Sequence, residues 1–160
     1  MKAAFPPIVD ANSKILILGS MPGEKSLELQ QYYAHPGNQF WKILFTLFNE
    51  PFTTDYKTRI ELLKKHYIAL WDVLSHCERI GSSDSNIKNE IPNDFDSFYR
   101  QHPQIKHVFF DSKNVARFYK KHVGLSPSLN YYEIPSPSGL YASKSFAEKV
   151  KEWEIILDFI

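Results

Sequence analysis

The chain holds a single cysteine, Cys77, which excludes an internal disulfide and any metal site built from several thiolates. No apolar run approaches the ~20 residues that a membrane-spanning helix needs. The opening MKAAFPPIVD carries too short an apolar stretch for a secretory signal, so the expectation is a cytoplasmic, intracellular protein without membrane contact. An excess of one charge is also missing. Lys+Arg number 19 against 18 Asp+Glu, a net charge of +1, so a polyanion would have to be held by a local patch rather than by the field of the whole molecule. Repeats, low-complexity tracts and linkers are absent, and 160 residues are expected to form one domain over 1–160. What is present is apolar and aromatic. Hydrophobic residues make up 43% and aromatics 15%, enough for a sizeable core and unlike a disordered chain.

The stretch 15–41, ILILGSMPGEKSLELQQYYAHPGNQFW, organises the rest. Its first four residues are apolar without alternation, the pattern of a parallel strand covered on both faces. Gly19-Ser20-Met21-Pro22-Gly23 then forces a tight turn at the carboxyl end of that strand, where open α/β sheets bind ligands. Residues 39–48 read as a helix apolar nearly all round, and 54–66 as a second helix capped by Thr54 or Asp55. Residues 67–71 read as a second buried strand, 107–110 as a third and 131–134 as a fourth. Helices are expected over 93–101 and 114–121, and the polar segment 77–89 as a surface loop. A final helix places Phe146, Val150, Trp153 and Leu157 on one apolar face. Strands alternating with helices predict a three-layer α/β/α sandwich around a mostly parallel four-stranded sheet.

Three familiar chemistries do not fit. Gly19…Gly23…Lys25-Ser26 resembles a phosphate loop, but only three residues separate the glycines and Glu24 precedes the lysine, where it would repel a triphosphate. The six histidines show no HExxH or paired i, i+4 spacing, so no metal is expected. No GxSxG elbow is present; Ser136 and Ser138 lie in a proline-rich turn. What remains is an aromatic ring, an imidazole and a carboxamide in Tyr33, His35 and Asn38, groups suited to stacking and hydrogen-bonding a flat polar heterocycle. Asn38 is equally placed to cap the helix that follows it.

Four segments, GSMPGEKSL (19–27), YYAHPGNQFW (32–41), ALWDVL with RIGSSDSNI (69–74 and 79–87) and IPSPSGLYA (134–142), together resemble the uracil-DNA glycosylase superfamily. The branch they are most similar to is the hypoxanthine-DNA glycosylases. The AHPxNxFWK block at 34–42 and the PSGL turn at 137–140 are also similar to the mismatch-specific uracil glycosylases. The resemblance implies a uracil-DNA glycosylase-like fold and two site loops, the first holding a flipped base and the second wedging into the minor groove. It implies a DNA partner containing deaminated bases, hydrolysis of the N-glycosidic bond without a cofactor, and a preference for hypoxanthine, then xanthine or uracil. By position, Gly19, Ser20, Met21, Pro22, Gly23, Tyr33 and His35 would line the base pocket, with Tyr33 as the stacking ring. Where uracil-removing relatives place Asp or Asn, this chain has Met21, which cannot orient a water; the polar catalytic role then passes to Asn38.

The same resemblance gives Ser136, Pro137, Ser138, Gly139, Leu140 and Tyr141 to the wedge, with Leu140 at its tip. Backbone N–H groups near Ser143, at the expected start of the last helix, together with Lys144, are the expected phosphate contact. No lysine lies within either loop motif, so a monofunctional enzyme is expected, acting as a monomer. The alternative is a catalytically inactive nucleic-acid-binding module on the same fold.

Overall fold

A computed structural model describes all of residues 1–160. In chain order the elements are β1 (Lys2–Ala3), β2 (Ile15–Gly19), α1 (Glu24–Leu29), α2 (Phe40–Leu47), α3 (Tyr56–Lys65), β3 (Ile68–Asp72) and β4 (Leu74–Glu78). There follow β5 (Lys88–Pro92), α4 (Phe95–Gln101), β6 (His107–Phe110), α5 (Lys113–His122), β7 (Asn130–Glu133) and α6 (Phe146–Trp153). Strands β3, β2, β6 and β7 lie in that order in one sheet, every pair parallel, with Ile15 opposite Ile68 on one side and His107 on the other.

Strand alternation divides the core into two layers. Ile15, Ile17, Ile68, Leu70 and Phe109 point to one face, where they meet Phe40, Trp41, Ile43 and Leu44 of α2, Leu62 and Leu63 of α3 and Trp153 of α6. Leu16, Leu18, Ala69, Trp71, Val108 and Phe110 point to the other, against Phe95 and Phe98 of α4 and Val115, Ala116 and Tyr119 of α5. A sheet covered on both faces has no solvent side, which is why its central strands read as unbroken apolar runs. Asp55, Asp94, Ser112 and Ser145 each cap a helix with a side-chain oxygen, α3, α4, α5 and α6 respectively.

Four local expectations are corrected. The expected loop runs over residues 79–87 rather than 77–89: Cys77 and Glu78 end β4 and Lys88 and Asn89 begin β5, an antiparallel hairpin to which β1 adds a third strand. The pattern hides this because β5 is a largely exposed edge with polar residues, and the hairpin is built on tertiary pairing rather than on its own apolar content. Glu24–Leu29, for which the sequence pattern predicts no element, is the short helix α1. The last helix ends at Trp153 and tightens into a 3₁₀ helix over Glu154–Phe159. The change of pitch buries Ile156 and leaves Leu157 39% exposed, so Leu157 does not share the face of Trp153. Finally, α6 begins at Phe146 with Ser145 as its cap, so Ser143 lies outside the helix start.

Candidate active site

The carboxyl edge of the parallel sheet gathers Gly19 from β2, Asp72 from β3 and Asp111 just after β6. Over them lies Tyr33, whose hydroxyl donates to Asp111 Oδ2. A Cβ placed on Gly19 would lie 2.7 Å from both Asp72 Oδ1 and the Tyr33 hydroxyl, so the absence of a side chain there is what lets these three groups converge. The Tyr33 ring stacks on Phe40 with centroids 4.0 Å apart and planes 6° from parallel. Its backbone is held at φ 52°, in the left-handed region. Trp41 Nε1 donates to the neighbouring Tyr32 carbonyl at 2.9 Å and fixes that turn from within the core.

The carboxylates are strongly perturbed. Burial lifts the Asp111 carboxyl to about 7, against the opposing pull of the Tyr33 hydrogen bond. Burial, then the charges of Asp111 and Asp84, raise Asp72 well above the ordinary carboxylate range, with Arg79 acting in the other direction. Burial beside Asp111 also raises the Tyr33 phenol, so it stays a hydrogen-bond donor. Asp72 Oδ2 is buried and has no hydrogen-bond partner within the chain. A buried acceptor or donor left open in this way is costly unless something else fills it.

The residues expected from the sequence to form the pocket divide into two groups. Gly19, Ser20, Met21 and Pro22 are buried at the strand end, and Ser20 Oγ donates to Asp84 Oδ1 at 2.8 Å. Gly23 passes next to Ser82, whose hydroxyl accepts from the Glu24 N–H at 2.9 Å. His35 is exposed instead, and its Nδ1 accepts the Gly37 N–H at 2.9 Å, so its ring braces its own loop. Asn38 Oδ1 accepts the Phe40 N–H at 2.9 Å; the carboxamide therefore serves α2 through its oxygen and leaves the NH₂ group without a protein partner.

The second loop lies against the first. The Gln39 N–H donates to the Pro137 carbonyl at 2.7 Å, and a Cβ on Gly139 would come within 2.5 Å of the Gly37 carbonyl oxygen. Ser136 Oγ accepts the Ser138 N–H and Ser138 Oγ the Leu140 N–H, both at 3.2 Å. These turns lift Leu140 to 96% exposure, with Tyr141 beside it. Lys144 pairs with Glu152 at 2.7 Å, and Glu148 closes the capping box of Ser145. The start of α6 is thus already supplied with a carboxylate.

Three functional-site residues escaped the sequence reading. Asp111 carried the same signal as Asp72, a carboxylate ending an apolar strand. Arg79, buried, donates to the Pro22 and Gly81 carbonyls and supports the first loop from outside it. Lys149, 1% exposed, donates to Gln39 Oε1 at 2.8 Å and to the Ser138 carbonyl at 3.0 Å, joining the two loops. Its position between Phe146 and Trp153 on the inward face of α6 was the available clue.

Comparison with known proteins agrees with this arrangement. The model of the uracil DNA glycosylase superfamily matches residues 6–159. A hypoxanthine DNA glycosylase from Methanosarcina acetivorans is 34% identical over 158 residues, 98% of each chain. Another from Methanosarcina barkeri is 42% identical over 118 residues, 73% of this chain and 75% of its own. The solution NMR structure of a candidate uracil DNA glycosylase from Methanosarcina acetivorans superposes with a TM-score of 0.80 at 33% identity, covering 97% of this chain and 95% of that one. With its parallel sheet, its two apposed loops and this match across nearly its whole length, the chain belongs to the uracil DNA glycosylase superfamily.

Proposed function

We propose that this chain is a DNA glycosylase that excises hypoxanthine, hydrolysing the bond between the base and its deoxyribose. The observation that carries the reading is the convergence of the Tyr33 hydroxyl, the buried Asp72 and Asp111 carboxyls and Gly19 at the carboxyl edge of the sheet, with the NH₂ of Asn38, on the same loop as Tyr33, left without a protein partner. Burial beside Asp111 favours the neutral carboxyl of Asp72, in which one oxygen donates and the other accepts. The names of the two Methanosarcina relatives support hypoxanthine as the base.

In the reaction the C1′–N9 bond breaks, water adds at C1′ and the departing base takes up a proton. Positive charge develops on the sugar and negative charge on the base, so catalysis rests on stabilising those charges. Asn38 supplies its free NH₂ group to that end, Tyr33 stacks on the flipped base, and the Gly19–Gly23 turn offers backbone N–H groups. Leu140 fills the gap that the base leaves in the stack.

The test is base release from matched duplexes carrying one hypoxanthine, xanthine or uracil, in excess chelator. Alkali-dependent strand cleavage at the hypoxanthine duplex is the expected result. Release from none of the three, with DNA binding that ignores the lesion, would favour the inactive binding module instead.

A further inference from the structure

The two most exposed large apolar side chains in the molecule are Leu140, at 96%, and Ile80, at 89%. Leu140 tips the second loop. Ile80 tips the β4–β5 hairpin, which no catalytic role has absorbed. A singly exposed isoleucine is ordinary on a free loop. This one is held. The Arg79 guanidinium on one side of it is buried and donates to the Pro22 carbonyl and, at 3.1 Å, to the Gly81 carbonyl. On its other side Gly81 takes φ +75° and accepts Lys2 Nζ at 3.3 Å. Asn86 Nδ2 donates to the Ile80 carbonyl at 3.2 Å.

The hairpin tip is also fastened to the candidate active site. Besides Arg79 on Pro22, Ser82 accepts the Glu24 N–H and Asp84 accepts Ser20 Oγ. These anchors lie at the start of the first site loop, as the Gln39–Pro137 bond that carries the Leu140 turn lies at its end. Two apolar tips are therefore fixed to the two ends of one loop, and β4 carries its own past the carboxyl edge of the sheet, where β3 ends.

We propose that Ile80 is a second DNA-contacting wedge, packing against a base step on the flank of the lesion away from Leu140 and helping to hold the duplex bent while the target base is out. The occupant is duplex DNA because the tip is continuous, through three hydrogen bonds, with the loop that takes the base. An apolar side chain presented beside a base-flipping site meets unstacked base faces there rather than water. The proposal rests on the glycosylase reading above.

The test compares Ile80→Ser with the parent chain, with Leu125→Ser as a control at 55% exposure on the loop leading into the amino end of β7. Single-turnover release of hypoxanthine is measured on a duplex and on the same strand alone. Ile80→Ser is expected to slow release from the duplex about tenfold or more while leaving the single strand within about twofold, because only the duplex needs unstacking. Leu125→Ser should match the parent on both. Equal rates for Ile80→Ser and parent on the duplex would overturn the wedge. If the parent released no base at all, the glycosylase reading would fail by itself. The wedge would then be judged by fluorescence anisotropy on an abasic-site duplex, where unchanged affinity for Ile80→Ser refutes it and weakened affinity supports it.

Discussion

The backbone N–H of Gln39 donates to the carbonyl of Pro137 at 2.7 Å, so the residue after Asn38 is bonded directly to the loop that carries Leu140. Lys149 doubles that link through the Gln39 side chain and the Ser138 carbonyl, and its ammonium lies 5.3 Å from the centre of the Tyr141 ring. Burial lowers the proton affinity of this lysine, and both of its hydrogen-bond partners are neutral.

Replacing Lys149 by Met keeps the volume and removes the bridge. Melting temperature is expected to stay within a few degrees, because the lost hydrogen bonds are offset by relief of a desolvated charge. Single-turnover base release should fall by ~10- to 100-fold, the scale on which small misplacements of catalytic groups act. An unchanged rate would show that the two loops hold their register without the lysine.

Asn38→Ala separates the turn that leads into α2 from the catalyst. Loss of the bond to the Phe40 N–H should cost about 1 kcal/mol of stability, read from urea denaturation. Loss of a donor to the departing base should slow excision by ~10²- to 10³-fold. A variant that loses stability yet excises at the parent rate would leave Asn38 as a brace of the turn before α2 only.

Gly139→Ala tests the closeness of the loops. The added Cβ meets the Gly37 carbonyl oxygen, a backbone atom that cannot swing aside. Overpacking of this kind costs ~1–3 kcal/mol, and here the strain falls on the apposition of the loops. Excision from a duplex should therefore fall more than the melting temperature suggests. Parent-like excision would mean that the second loop can retreat without loss.

Stability should fall as pH rises from about 5 to 8. A carboxyl whose affinity for protons is raised on folding, as burial raises Asp111 to about 7, keeps its proton in the native state over a range where the unfolded chain has lost it. The native state then holds more protons, and its advantage is complete below the unfolded value near 4 and is lost as pH climbs through the folded one. Asp72 shifts in the same direction. Melting temperatures of Asp111→Asn across this range should slope less than those of the parent; parallel slopes would place the effect elsewhere.

Tyr33→Phe keeps the ring on Phe40 but leaves Asp111 without its donor. An unsatisfied buried carboxyl should cost ~1–3 kcal/mol. Circular dichroism with urea would measure it, and no change would mean that Asp111 finds water or another partner.

Much of the fold was legible because local pattern and burial agree. The 15–18, 67–71 and 107–110 segments are largely apolar runs that fall on β2, β3 and β6, because strands covered on both faces must be apolar, while 131–134 meets the half-buried edge strand β7 through its paired tyrosines. The site loops were legible by their composition and by their likeness to a known family. What the chain alone did not disclose depends on partners distant in sequence. Lys2–Ala3 and Lys88–Pro92 are strands only because β4 lies between them, and Leu157 turns outward because the chain tightens after Trp153. In one dimension Asp111 ends an apolar strand and Lys149 falls between Phe146 and Trp153, but neither position names a partner. Folding brings the first against Tyr33, 78 residues away, and the second against Gln39, 110 residues away. Local sequence determined which segments are apolar and where turns must fall; only tertiary packing decided which polar groups lose water together, and that loss of solvent is what gives them their chemistry.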